Sequence, residues 1–246
     1  MSGIYYAIGG ANYEIKESLE IDLDILTESK KNLSNESLKP KVLYIGAALC
    51  DDLKQINSFS NYYTSLGFDV DILYSFEKNL TEEEISNKIM ASDVIYFGGG
   101  MTSRLITFAK KYNIQKHLNF AFLNGKIIVG VSAGAIMLFD LGYGDKDAFV
   151  DNLVSTNHQI TDGLGIFKTI FCPHYQNSGG ISFHDEIIKY KVNGFAVENG
   201  AALKIYEKSF TIIKSNKSNV FMFEYEDKHV LKHLKKDIMY DINLLK

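Results

Sequence analysis

Five short apolar runs, separated by stretches of helical periodicity, constrain the fold of this chain more than any other feature. The runs cover residues 4–8, 41–45, 68–74, 93–97 and 127–131, and the intervening segments 15–29, 52–66, 81–90 and 104–112 repeat apolar residues at helical spacing. Thr81 followed by Glu82, Glu83 and Glu84 reads as a helix start, a capping side chain with acids at the positive end of the dipole. Strands apolar along nearly their whole length, alternating with helices, indicate a parallel sheet covered on both faces. In such sheets, ligands gather at the carboxyl ends of the strands.

Beyond residue 140 the pattern changes. Residues 142–161 read as loop, 169–173 as a strand, and 195–198, 203–206, 210–213 and 220–223 as short strands. Asn199-Gly200 predicts a tight hairpin turn between the first two of these short strands. Residues 228–242 predict an amphipathic helix. No linker interrupts the chain, so residues 1–246 are expected to form a single α/β domain, a mostly parallel sheet with a C-terminal antiparallel extension.

Composition narrows the function. A net charge of −4 provides no general attraction for nucleic acid or acidic membranes. Cys50 and Cys172 make neither a disulfide framework nor a CxxC metal pair. The opening residues lack the pattern of a secretory leader, and the apolar run 127–139 is too short to span a bilayer. A cytoplasmic protein is therefore expected, with no nucleic-acid partner and no membrane partner. A homodimer is left open.

The chemistry is concentrated in three places. Gly130-Val131-Ser132-Ala133-Gly134 directly follows an apolar strand. A serine between two glycines there has the form of a nucleophile elbow, which exposes Ser132 Oγ beside the first amides of the next helix. The same string also fits a plain glycine-rich turn, and the pentapeptide alone does not separate the two. A nucleophilic serine needs a base. Of His117, His158, His174, His184, His229 and His233, only His174 follows a buried strand, behind Phe171-Cys172-Pro173. His117, His229 and His233 lie among lysines on expected helix surfaces, and His158 and His184 lie in or near loops. The third place is Gly98-Gly99-Gly100-Met101-Thr102 after the fourth strand, where glycines let backbone amides approach a bound group. One amide from this loop and that of Ala133 would make an oxyanion hole. No Lys-Ser/Thr follows to make a P-loop, and the glycines sit after the wrong strand for a dinucleotide fingerprint.

Together GGGMT, VGVSAGAIML and CPHY resemble the motifs of the serine peptidases of family S51, which include aspartyl dipeptidase (peptidase E) and cyanophycinase. The resemblance runs over most of the chain, taking in Gly9-Gly10 and the strands at 42–46 and 195–198. It implies a flavodoxin-like three-layer sandwich similar to the class I glutamine amidotransferases, with serine in place of their cysteine. It implies Ser132 as nucleophile, His174 as general base, and Gly99 with Ala133 at the oxyanion. Gly100, Met101 and Thr102 are then expected against the substrate. No metal or organic cofactor is implied. Relatives carry an orienting carboxylate in the loop after the elbow helix, where this chain has Asp145 and Asp147, the latter at the dipeptidase spacing. An α/β-hydrolase would need its histidine much further downstream, where only His229 and His233 lie.

Two departures bear on specificity. The resemblance suggests an arginine beyond the histidine motif to hold an aspartate, and residues 175–184 contain none. Met101 replaces an asparagine. Arg104, the only arginine of the chain, falls in the first turn of the helix after the glycines, facing either a substrate carboxylate or a surface ion pair. The expected activity is hydrolysis of dipeptides or short peptides. The alternatives are an isopeptide or ester hydrolase of the cyanophycinase type, and an inactive binding protein on the same fold.

Overall fold

The computed structural model describes residues 2–31, 33, 35, 38–145, 158–177, 181–225 and 230–246. Its first half follows the alternation: β1 (Ile4–Ile8), α1 (Leu19–Lys30), β2 (Lys41–Ile45), α2 (Leu53–Leu66), β3 (Asp69–Leu73), α3 (Glu82–Ala91), β4 (Val94–Phe97), α4 (Thr102–Lys111), α5 (Ile114–Leu123) and β5 (Ile127–Val131). The Thr81 signal is a complete capping box, its hydroxyl on the Glu84 amide and the Glu84 carboxylate on the Thr81 amide.

These strands pair in parallel in the order β1-β5-β4-β2-β3. Alternate side chains sort to opposite faces, as a two-residue period requires. Tyr6, Ile8, Val42, Tyr44, Tyr96 and Val129 pack on one face against Ile21 and Ile25 of α1 and Phe59 and Tyr63 of α2. Tyr5, Ala7, Leu43, Ile45, Ile95 and Phe97 pack on the other against Ile85 and Ile89 of α3, Leu105 of α4 and Leu118 of α5. The first face buries one carboxylate, Asp22, which accepts hydrogen bonds from Ser18 and from the Tyr62 and Tyr63 phenols. Burial raises the pKa of this carboxyl above the ordinary value, and the three hydroxyls oppose that rise.

The second half departs from the sequence reading. After α6 (Ala133–Ile136) come β6 (Phe139–Asp145) and β7 (His158–Asp162), which pair antiparallel where loop was expected. Then follow β8 (Phe167–Cys172), α7 (Ile181–Tyr190), β9 (Gly194–Val197), β10 (Ala201–Ile205), β11 (Ser209–Lys214), β12 (Val220–Glu224), β13 (Val230–His233) and β14 (Tyr240–Asp241). Among the described residues the predicted C-terminal helix is absent, and its segment contributes β13 and β14. β13 pairs with β12, and β14 pairs with β11. Tertiary pairing outweighs the weak helical periodicity there.

The antiparallel extension exists as β10, β11 and β14 beside β1. A second sheet accompanies it, in the order β13-β12-β9-β8-β6-β7. One face of that sheet joins the main core through Phe139, Phe171, Phe195 and Val197. Its other face packs Ile170 and Ala196 against Phe183 and Ile187 of α7. β9 and β10 therefore belong to different sheets, and Asn199-Gly200 is a crossing between them instead of a hairpin turn. Among the described residues no helix is long and apolar enough to cross a membrane.

Candidate active site

Register alone brings three loops together at the carboxyl edge. β1 pairs β5 with Ile8 opposite Val131, so Gly9 falls beside Ser132. β4 pairs β5 with Phe97 opposite Gly130, and carrying that register two residues on places Gly99 beside Ser132. In the second sheet Cys172 lies opposite Ala196, so the ends of β8 and β9 deliver His174 and Asn199 side by side.

The loop after β1 ties these ends into one site. Ser132 N–H donates to the Ile8 carbonyl, His174 N–H to the Gly9 carbonyl, and Gly200 N–H to the Gly10 carbonyl. A Cβ at Gly10 would lie 2.1 Å from Asn199 Oδ1 and 2.7 Å from His174 Cε1, which leaves room only for glycine. Gly10→Ala is expected to lower the activity of this site at least about tenfold by displacing both side chains. Parallel activity assays and thermal melts check this, and wild-type activity in a folded variant would contradict it.

The elbow is real. Ser132 has φ 52° and ψ −112°, a conformation few non-glycine residues adopt, at a cost of about 1–3 kcal/mol. The sharp turn carries Gly134 back over Gly130, so a Cβ at Gly130 would lie 2.2 Å from the Gly134 carbonyl oxygen. His174 is also left-handed, with φ 51°. Ser132 and His174 are two of the eight non-glycine residues with positive φ among the described residues, and their side chains meet.

His174 Nε2 lies 2.8 Å from Ser132 Oγ, and His174 Nδ1 lies 2.6 Å from Asn199 Oδ1. An amide oxygen only accepts, so Asn199 fixes the proton on Nδ1 and leaves Nε2 as the acceptor for the serine proton. Asn199 is itself held, its backbone N–H on Gln176 Oε1 and its carbonyl on the Ser218 hydroxyl. On the other side of Ser132, a Cβ at Gly99 would sit 3.2 Å from Ser132 Cβ. Neither the Gly99 nor the Ala133 amide donates to the backbone among the described residues. Tyr44 lies under the glycine loop, its hydroxyl 2.5 Å from where a Gly98 Cβ would be. Burial, then the charges of Asp51 and Asp52, push its pKa up to about 12, so it remains a neutral phenol.

Ser132, His174, Gly99 and Ala133 thus converge as the motifs suggested, and Gly100, Met101 and Thr102 continue from the same loop. The aspartates are different. Asp147 and the side chain of Asp145 lie outside the described residues, and the Nδ1 partner is Asn199. The sequence reading missed Asn199 as a site residue because Asn-Gly between two strands reads as a hairpin. The available signal was its position two residues past a strand end, as for His174. The other histidines take different places. His117, expected on the surface, is buried, with Nε2 3.2 Å from Glu82. His158 stacks on Tyr143, His184 meets the ring of Phe223, and His233 stacks on Phe221. His229 lies outside the described residues. No group of three metal-ligating side chains occurs among the described residues.

The chain is 29% identical over 229 residues to a Bacillus subtilis protein named uncharacterized peptidase YgaJ, covering 89% of this chain and 93% of that one. Its fold matches the crystal structure of a peptidase from an acI-B1 actinobacterium with a TM-score of 0.73, at 16% identity and covering 98% and 97% of the two chains. It matches a putative peptidase E protein from Listeria monocytogenes EGD-e with a TM-score of 0.60, at 20% identity, over 88% of this chain and all of that one. The profile of peptidase family S51 matches residues 6–213, the span that carries Ser132, His174 and Asn199. The chain belongs to peptidase family S51.

Proposed function

We propose that this peptidase is a serine enzyme acting on dipeptides or short peptides, with Ser132, His174 and Asn199 as its working side chains. The observation that carries the reading is the continuous hydrogen-bonded line from Ser132 Oγ through the imidazole to Asn199 Oδ1. Ser132 Oγ attacks the scissile carbonyl while His174 Nε2 takes its proton. The Gly99 and Ala133 amides receive the oxyanion. The tetrahedral intermediate collapses, and the proton passes from Nε2 to the leaving amine. Water then repeats the sequence on the acyl-enzyme and releases the acid. Gly100, Met101 and Thr102 border the substrate. No metal or organic cofactor enters these steps. Asn199 holds the ring and its tautomer but, unlike a carboxylate, brings no charge to the imidazolium that forms. The same division of labour serves enzymes with a Cys-His-Asn arrangement.

The test is treatment with a small fluorophosphonate followed by peptide mapping. One adduct on Ser132, lost in His174→Ala, is expected. Well-folded protein that acquires no adduct, or acquires it elsewhere, would overturn the assignment.

A further inference from the structure

We propose that Tyr13 is a positioning residue, whose ring anchors the loop after β1 and so holds His174 and Asn199 in line with Ser132. The proposal rests on the serine-peptidase reading above.

The loop, residues 9–18, runs along the crossing that carries Asn199. Its start lies flush against the end of β9: a Cβ at Gly9 would lie 2.3 Å from the Val197 carbonyl oxygen and 2.5 Å from that of Glu198. Its far part lies against Gly200, where a Cβ would meet the Glu17 carbonyl oxygen at 2.8 Å. At its start the Gly9 and Gly10 carbonyls accept the His174 and Gly200 amides, at 3.1 and 3.0 Å. His174 and the Asn199-Gly200 crossing therefore rest on this loop, and a shift of it moves the imidazole and its Nδ1 partner.

The loop is braced within itself. Asn12 Oδ1 accepts from the Glu14 and Ile15 amides at 3.0 and 3.4 Å, and the Asn12 carbonyl accepts from the Glu17 amide at 3.0 Å. Such bracing lets a loop move as one body without attaching it to its surroundings. Attachment to the core falls to Tyr13. Ile15 is 71% exposed, whereas Tyr13 packs with Ala11 on the core that α1 and α2 cover. Its ring stacks on Tyr62 with centroids 5.6 Å apart and meets Phe59 edge-on at 5.6 Å. Its hydroxyl donates to that of Tyr96 at 3.2 Å. Tyr96 lies on β4, two residues before Gly98, and β1 and β4 flank β5. The Tyr13 side chain thus reaches across the strand of Ser132, from the loop that holds His174 to the strand that ends in the glycine loop. Tyr62 is fixed in turn by its phenol, which donates to the buried Asp22 carboxylate at 2.9 Å. A ring packed this closely has one place to sit, and it sets the place of the loop.

The test compares wild type, Tyr13→Ala, Tyr13→Phe and Ile56→Ala, the last a cavity made in the same core on α2. Residue-resolved amide hydrogen exchange is measured on each, with the rate of fluorophosphonate labelling at Ser132. In Tyr13→Ala the His174 and Gly200 amides, bonded to the loop, should exchange at least about tenfold faster. The Ser132 amide, bonded to the Ile8 carbonyl of β1, should keep its rate. Labelling should slow about 10- to 100-fold, the scale for a reacting group misplaced by about 1 Å. Tyr13→Phe keeps the ring and loses one hydrogen bond, so both readouts should stay within about fivefold of wild type. Ile56→Ala should lower the melting temperature without singling out the His174 and Gly200 amides. Should Tyr13→Ala not fold, Tyr13→Leu, which keeps apolar bulk without the ring, is read in the same way. If the His174 and Gly200 amides respond no more than that of Ser132, or no more than in Ile56→Ala, Tyr13 only fills the core and the proposal is overturned. If they respond selectively but wild-type Ser132 takes no label, the serine chemistry falls while the anchoring stands.

Discussion

Replacing Ser132 by alanine is expected to lower kcat for peptide hydrolysis by roughly four to six orders of magnitude while the protein stays folded. The magnitude is that of nucleophile loss in other serine hydrolases, where the oxyanion hole and substrate binding leave only a small residual rate. The fold should tolerate the change because alanine meets the same strained backbone that serine does at φ 52°. Only the hydrogen bond to His174 Nε2 is lost, worth about 1 kcal/mol. Long-incubation product assays and a thermal melt read both quantities. A variant keeping more than about one per cent of wild-type turnover would show that the serine is not the nucleophile, since that loss is far below the expected range.

The second large effect concerns Asn199. Asn199→Ala removes the acceptor of the Nδ1 proton, so the imidazole can take the wrong tautomer and turn away from the serine. A loss in kcat of roughly two to four orders of magnitude is expected, by analogy with orienting-residue losses in serine proteases. Asn199→Asp keeps an acceptor in place and should retain at least about a tenth of wild-type activity. It adds a charge, and a carboxylate beside an imidazole favours the protonated ring. The unprotonated ring is the working base, so the acidic limb of the pH–rate profile should move to higher pH in Asn199→Asp. Asp145→Asn and Asp147→Asn complete the series. If Asn199→Ala is nearly silent while one aspartate variant is severely impaired, that aspartate orients His174 and Asn199 does not.

How much of this was legible beforehand differs sharply between the halves of the chain. The strands through 131 and four helices were visible because each segment states its own period. Tyr5 and Ala7 go to one face, and Tyr6 and Ile8 to the other, as alternation in a parallel sheet requires. α5 was missed because its apolar residues spread around the helix and leave Phe120 and Leu123 exposed. β6 was read as loop because Gly142 and Gly144 weaken its strand signature, yet the side chain of Ile136 packs where their Cβ atoms would be. The C-terminal residues show helical spacing locally, but β11 and β12 offer them open edges. Local preference of a few tenths of a kcal/mol per residue does not decide such a contest.

The site divides along the same line. Ser132, His174 and the glycine loop announce themselves because a nucleophile elbow, a strand-end histidine and a close backbone approach each demand particular residue types within a few positions. Those demands are local, so the linear sequence alone determined them, together with the alternation that puts all three loops at one sheet edge. Asn199 carries no such mark. Its contact with His174 Nδ1 exists only because β9 and β10 enter different sheets, so that the residue between them crosses this edge two positions past a strand that lies beside that of His174. Which strands pair is settled by burial and hydrogen bonding among segments far apart in the chain, and the partner that His174 Nδ1 meets is therefore a property of the tertiary structure.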